Sequence, residues 1–225
     1  YYTFKSKNNV EIYTIDTTST VSVDTFYDEF FLTATDVHNN QSNQSNYLSA
    51  YNLNPGFNLI SFGVIPEDSS VNNVIDCGGI VEIIGAGEAA LCVQGQWAGS
   101  LSSISQEKGY WIKSIEGEIL STVGQKESVT TFDLRAGNNL ISYTCDLKSD
   151  LNSLIGDLNP INDIIGAGEA AINIPGLGWG GSLVQLNPNK GYWFKTSDSF
   201  VLNYDCPQEE VSLRQEHIIN EKVST

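Results

Sequence analysis

Ile83-Ile84-Gly85-Ala86-Gly87-Glu88-Ala89-Ala90 recurs letter for letter as Ile164-Ile165-Gly166-Ala167-Gly168-Glu169-Ala170-Ala171. Around this pair the chain matches itself in both directions. Upstream, Asn58-Leu59-Ile60-Ser61 behind Gly56 answers Asn139-Leu140-Ile141-Ser142 behind Gly137. Downstream, Trp97 falls on Trp179, Gly99-Ser100-Leu101 on Gly181-Ser182-Leu183, and Lys108-Gly109-Tyr110-Trp111 on Lys190-Gly191-Tyr192-Trp193. The offset is 81 at Gly56 and 82 at Lys108, with one insertion near residues 175–178. Agreement over this length with a single gap is the mark of tandem duplication.

Each copy follows one order of elements. A glycine turn leads into the short apolar Asn-Leu-Ile-Ser strand. Ser69 ahead of Val71, Val74 and Ile75, and Asp150 ahead of Leu151, Leu154 and Ile155, have the spacing of a short capped helix. Further strands are expected over 81–84, 90–93, 109–113 and 119–123, separated by glycine turns. The expected fold is mainly β: two tandem β-rich repeat domains, each with one short helix, after a partial β-sandwich segment. The expected divisions are 1–47 for that segment, 48–125 and 126–206 for the repeats, and 207–225 for a C-terminal tail. One repeat alone buries little surface, so the copies should pack on each other.

Composition limits the function classes. The net charge of the 225-residue chain is −16. Nucleic acid and anionic membrane surfaces are poor partners for it, since both need clustered Lys and Arg. No apolar run reaches the length that spans a bilayer. With no Met and Tyr1 at the start, the sequence reads as a piece of something longer.

Four cysteines are present, and the duplication sorts them. Copy two has Leu158 and Asn173 where copy one has Cys77 and Cys92. Copy one has Val64 and Gly124 where copy two has Cys145 and Cys206. Each pair is present or absent as a unit, which favours Cys77–Cys92 and Cys145–Cys206 among the three possible connectivities. Such bridges belong outside the reducing cytosol, and no spacing suits zinc.

The shared motifs have two readings each. In Gly-Ala-Gly-Glu, the glycines could admit a ligand and Glu88 and Glu169 could hold a cation; equally, the motif is a tight turn with small residues packed beneath a strand. It is not a phosphate loop, because no Lys-Ser or Lys-Thr follows. In Gly-Tyr-Trp, strand alternation sends Tyr110 and Trp111 to opposite faces, as it does Tyr192 and Trp193. These four, with Trp97 and Trp179, are candidate glycan contacts, or else core packing. Calcium is a further candidate ligand at Glu67-Asp68 and at 146–150, without an EF-hand pattern. His38 and His217 are isolated, and no carboxylate pair has a hydrolase arrangement, so no catalytic residue is assigned. Asn40 and Asn43 each begin a glycosylation sequon.

The run from Phe30 to Ser42 resembles the last two strands of a fibronectin type III domain, with Asn39 where Gly is usual, Gln41 where Glu is usual, and Tyr27 one place from the family's corner tyrosine. The resemblance implies the end of a β-sandwich in a modular protein. Residues 51–204, with their glycine-led Asn-Leu-Ile-Ser strand and closing Gly-Tyr-Trp-x-Lys, resemble repeats of secreted and surface bacterial proteins and of phage virion proteins. That resemblance implies a non-catalytic structural or adhesive role at a cell surface or in a virion. The expected partners are other protein subunits, reached in part through the tail 207–225 with its sparse aliphatics, and glycans. A carbohydrate-binding module of a secreted enzyme is the alternative.

Overall fold

The computed structural model describes residues 2–6, 11–14, 27–34, 46–126, 129–155 and 160–207. These form a mainly β structure with two single-turn helices. Three N-terminal strands come first: β1 (Tyr2–Ser6), β2 (Glu11–Thr14) and β3 (Tyr27–Ala34). Copy one contains β4 (Tyr47–Leu53), β5 (Gly56–Ser61), β6 (Val64–Ile65), α1 (Val71–Val74), β7 (Ile80–Ile84), β8 (Ala89–Val93), β9 (Gln96–Gly99), β10 (Gly109–Ser114) and β11 (Glu118–Lys126). Copy two contains β12 (Thr131–Leu134), β13 (Gly137–Ser142), β14 (Ser149–Asp150), α2 (Leu151–Leu154), β15 (Ile161–Ile165), β16 (Ala170–Ile174), β17 (Gly178–Gly181), β18 (Gln185–Leu186), β19 (Gly191–Thr196) and β20 (Phe200–Asn203).

The repeat in sequence is a repeat in topology. Copy one has a five-stranded sheet in the order β5-β10-β7-β8-β9, and copy two has β13-β19-β15-β16-β17. A second antiparallel pair backs each sheet, β4 with β11 and β12 with β20. The two cores match position for position: Tyr51, Ile60, Phe62, Ile83, Tyr110 and Ile112 in one, Phe132, Ile141, Tyr143, Ile164, Tyr192 and Phe194 in the other. The copies differ at their backing pair. In copy one, β4 also pairs with β3, so the sheet grows to β2-β1-β3-β4-β11-β6 and runs continuously from the N-terminal strands into the repeat.

Local chemistry explains the shared residues. The Asn58 side chain accepts from the Asn54 N–H at 2.9 Å and donates to the Asn54 carbonyl at 2.8 Å, clamping the turn before β5. Asn139 does the same with Arg135. The Tyr110 hydroxyl accepts from the Ser105 N–H, and Tyr192 from Asn187, both at 2.8 Å. The helices diverge. Asp150 caps α2 by accepting from Asn152 and Ser153, whereas α1 is capped by Ser70, not Ser69, and makes no side-chain cap bond. In copy one Asp68 accepts from the Ser70 N–H instead.

The copies pack on each other through reciprocal contacts. The Ser61 N–H donates to the Asn189 carbonyl and the Ser142 N–H to the Glu107 carbonyl, each at 3.0 Å. Ser61 Oγ donates to the Lys190 carbonyl and Ser142 Oγ to that of Gln106. At the centre, a Cβ added to Gly109 would lie 2.9 Å from Gly191 Cα, and one added to Gly191 would lie 3.0 Å from Gly109 Cα. Each glycine also faces the leucine of the other copy's Asn-Leu-Ile-Ser strand, Leu140 or Leu59. Such reciprocity is that of an approximate twofold axis passing between the two glycines.

Two disulfides join Cys77 to Cys92 and Cys145 to Cys206, within the copies. Copy two fills the place of the first bridge with Asn173, whose side chain donates to the Ile161 carbonyl at 3.1 Å. Copy one fills the place of the second with the β6–β11 pair, where the Thr122 hydroxyl donates to the Val64 carbonyl at 2.8 Å.

Gly191→Ala is expected to lower unfolding free energy by about 1–3 kcal/mol, because the methyl must displace backbone; urea denaturation measures it, and Gly109→Ala should match it. Replacing Cys77 and Cys92 by Ser is expected to cost about 3 kcal/mol, and replacing Cys145 and Cys206 about 4 kcal/mol, from the separations of 15 and 61 residues. Equal losses would reject the loop-closure account.

Candidate functional site

The Gly-Ala-Gly-Glu motif is the turn between adjacent strands of each sheet. Gly85 N–H donates to the Glu88 carbonyl at 2.8 Å, and Gly166 N–H to that of Glu169 at 2.9 Å. Gly87 at φ +82° and Gly168 at φ +80° supply the left-handed residue that the turn needs. The Glu88 carboxylate forms an ion pair with Lys108 at 2.7 Å. Three further acidic candidates are engaged: Asp68 with the Ser70 N–H, which holds its carboxyl below the usual range, Asp150 as a helix cap, and Asp146 with Lys126. Among the described residues no three His, Cys, Asp or Glu side chains gather as a metal site.

The six aromatic candidates divide into three kinds. Tyr110 and Tyr192 are core residues, each 0% exposed, so their rings cannot meet a glycan. Strand alternation therefore resolves in favour of the tyrosines inside and the tryptophans outside. Trp97 closes the core of copy one, its Nε1 donating to the Ile75 carbonyl at 2.7 Å, and Trp179 packs on the core of copy two. Trp111 and Trp193 are half-buried on the outward sheet faces.

Those faces can be read row by row from the strand registers. In copy one, Phe57, Lys113, Glu82 and Leu91 lie across four strands, and the next row is Leu59, Trp111, Ile84 and Ala89. The Phe57 ring meets Trp111 edge-on at 6.4 Å, with the Lys113 ammonium 5.3 Å from its centroid. Copy two presents Lys195, Asp163 and Ile172 in one row and Leu140, Trp193, Ile165 and Ala170 in the next. Phe57 is 48% exposed, Leu91 49% and Ile172 53%, and Leu177 at the β16–β17 hairpin tip is 83% exposed. Each face thus combines one half-buried Trp, flanking aliphatics and one Lys–carboxylate pair, at 3.7 Å for Lys113–Glu82 and 3.4 Å for Lys195–Asp163. Leu59 and Leu140 are buried, each against the other copy's glycine, so the exposed apolar side chains of the faces are Phe57 and Leu91 in copy one and Ile165 and Ile172 in copy two. Exposed apolar side chains grouped on one face mark interaction surfaces. Sequence reading named the tryptophans and missed Phe57, Leu91, Ile165 and Ile172. Their period-two alternation with Asn58, Ala90, Ile164 and Ala171 was the available signal.

A cleft between the copies, lined by Ser61, Gln106, Lys126, Ser142, Asp146 and Asn189, has a volume of about 10 Å³ and room for about one water. Lys126 reaches Glu29 at 2.8 Å and Asp146 at 2.5 Å. Burial works against its charge, but the two carboxylates outweigh it and hold its pKa above the usual lysine value.

The fibronectin-like run after Ala34, both sequons, His38, His217 and residues 208–225 of the tail lie outside the described residues. No helix among the described residues is long and apolar enough to cross a membrane. The two disulfides fit an oxidising, extracellular-type environment. No family model, curated protein or solved structure matches the chain.

Five of the ten tyrosines are buried phenols whose pKa burial raises: Tyr192 is pushed up to about 12, and Tyr51, Tyr110, Tyr143 and Tyr204 rise above their ordinary value. Stability from such groups is intact below about pH 10, the unfolded value, and is lost as pH climbs toward the folded one. An alkaline titration at the tyrosinate band is expected to show these five ionising above pH 10 together with loss of structure. A single ordinary transition for all tyrosines would reject their burial.

Proposed function

We propose that the chain is a non-catalytic structural or adhesive module of a larger extracellular assembly, a fibre, decoration or appendage protein at a cell surface or on a virion. The observation that carries this reading is the pair of outward faces around Trp111 and Trp193, related by the axis that relates the copies. Most residues shared by the copies are engaged in turns, cores and the contact between copies; the shared Trp111 and Trp193 stand instead on the outward faces, half-buried, where a partner can reach them. The fibronectin-like N-terminal segment supports a modular, extracellular setting. Leu91→Ser combined with Ile172→Ser changes exposed positions only, so the melting temperature should hold while incorporation into the parent assembly is lost. Oxidative footprinting offers an independent check: Trp111 and Trp193 should be protected in the assembled particle relative to the isolated chain, and equal labelling would overturn the reading.

A second reading rests on the same tryptophans. An aromatic plane beside a Lys–carboxylate pair suits a sugar ring, whose C–H face stacks while its hydroxyls bond to the charges. A glycan array is expected to show binding that falls in Trp111→Ala and Trp193→Ala. An array silent with the unaltered chain rejects it.

A further inference from the structure

The two copies differ most at the edge of their backing strands. β4 has β11 on one side and β3 on the other, in the register Tyr27 opposite Tyr51, Asp28 opposite Ala50, Glu29 opposite Ser49 and Phe30 opposite Leu48. β12 is the counterpart of β4, with Thr131 at the place of Ala50 and Phe132 at that of Tyr51, and β20 pairs one side of it. Among the described residues no strand pairs the other side.

The hydrogen-bond phase shows which groups that leaves. The Tyr204 N–H donates to the Thr130 carbonyl at 2.8 Å, which makes Thr130–Tyr204 a bonded pair of the ladder. Bonded pairs alternate in an antiparallel ladder, so Phe132 and Leu134 bond to β20, while the N–H and C=O groups of Thr131 and Asp133 point away from it. The Thr131 and Asp133 amides donate to no described residue, and both residues are exposed. Phe132 and Leu134 are buried, so the strand is anchored from behind while no described residue pairs its edge.

We propose that the edge of β12 that no described strand pairs is a docking site for an extended strand of another polypeptide, added antiparallel, with the aromatic–acid–acid–aromatic pattern that Tyr27–Phe30 brings to the equivalent edge of copy one. Main-chain bonds to Thr131 and Asp133 supply affinity, and the alternating side chains supply selectivity. This deepens the reading of the chain as an assembly module, but it uses an edge and not the Trp faces, so either can fail alone.

The probe is a fluorescent synthetic peptide with the sequence of Tyr27–Ala34, mixed with the full chain. Saturable binding is expected, with amide exchange at Thr131 and Asp133 slowed at least about tenfold. Asp133→Pro removes one outward donor without touching a bond to β20, an edge position where proline is tolerated; it should weaken binding at least about tenfold. Should that variant fail to fold, the exchange measurement on the unaltered chain decides. Absence of binding, or binding that leaves the Thr131 and Asp133 amides in fast exchange because the peptide has displaced β3 from β4, overturns the proposal. Self-association of the chain that Asp133→Pro abolishes supports it, with a second copy as strand donor.

Discussion

The approach of Gly109 to Gly191 brings two backbones to contact with no side chain between them. The leucines and serines that join the copies are arranged around that point. The leucines of the two Asn-Leu-Ile-Ser strands close over the glycines, and the two serines at the ends of those strands reach across to carbonyls of the other copy. Because the groups on one side are repeated on the other, one sequence pattern writes both halves of the interface. This is the economy of an isologous dimer, achieved within a single chain. It also accounts for the persistence of Lys-Gly-Tyr-Trp in both copies: the glycine serves the axis, the tyrosine serves the core, and the tryptophan is left facing outward.

The copies differ where each closes the same corner by its own means. The corner at Cys92 is covalent in copy one and hydrogen-bonded through Asn173 in copy two. The corner at Cys145 is covalent in copy two and a short strand pair in copy one. A crosslink and a hydrogen-bonded ladder solve the same problem by different means. One reduces the freedom of the unfolded chain; the other satisfies backbone groups in the folded one.

How much of this was legible in the sequence follows from the range of the interactions. The mainly β class, the strand at 109–113 and the in-copy cysteine pairing are visible because they are written as repeats or as local alternation. The outward position of Trp111 was open by symmetry, since period two says that neighbours face apart but not which is inside. The Tyr110 hydroxyl settles it by meeting the Ser105 N–H within the core. The meeting of Gly109 with Gly191, and the pairing of β3 with β4, depend on contacts between distant segments with no local signature. Short strands such as β9 and β17 were hidden because Gly99, Gly180 and Gly181 read as turn residues, although they stand in strands.

Lys126 gathers three segments that lie far apart along the chain: its own strand β11, the N-terminal strand β3 through Glu29, and copy two through Asp146. Its ammonium is shielded, with the Lys126 side chain 18% exposed and that of Glu29 5%. Shielded charge pairs are screened by salt far less than surface pairs. The link into the second copy differs, because the Asp146 side chain is 58% exposed: added salt weakens the Lys126–Asp146 pair well before the Lys126–Glu29 pair, so the hold on the N-terminal sheet outlasts the hold on copy two in brine.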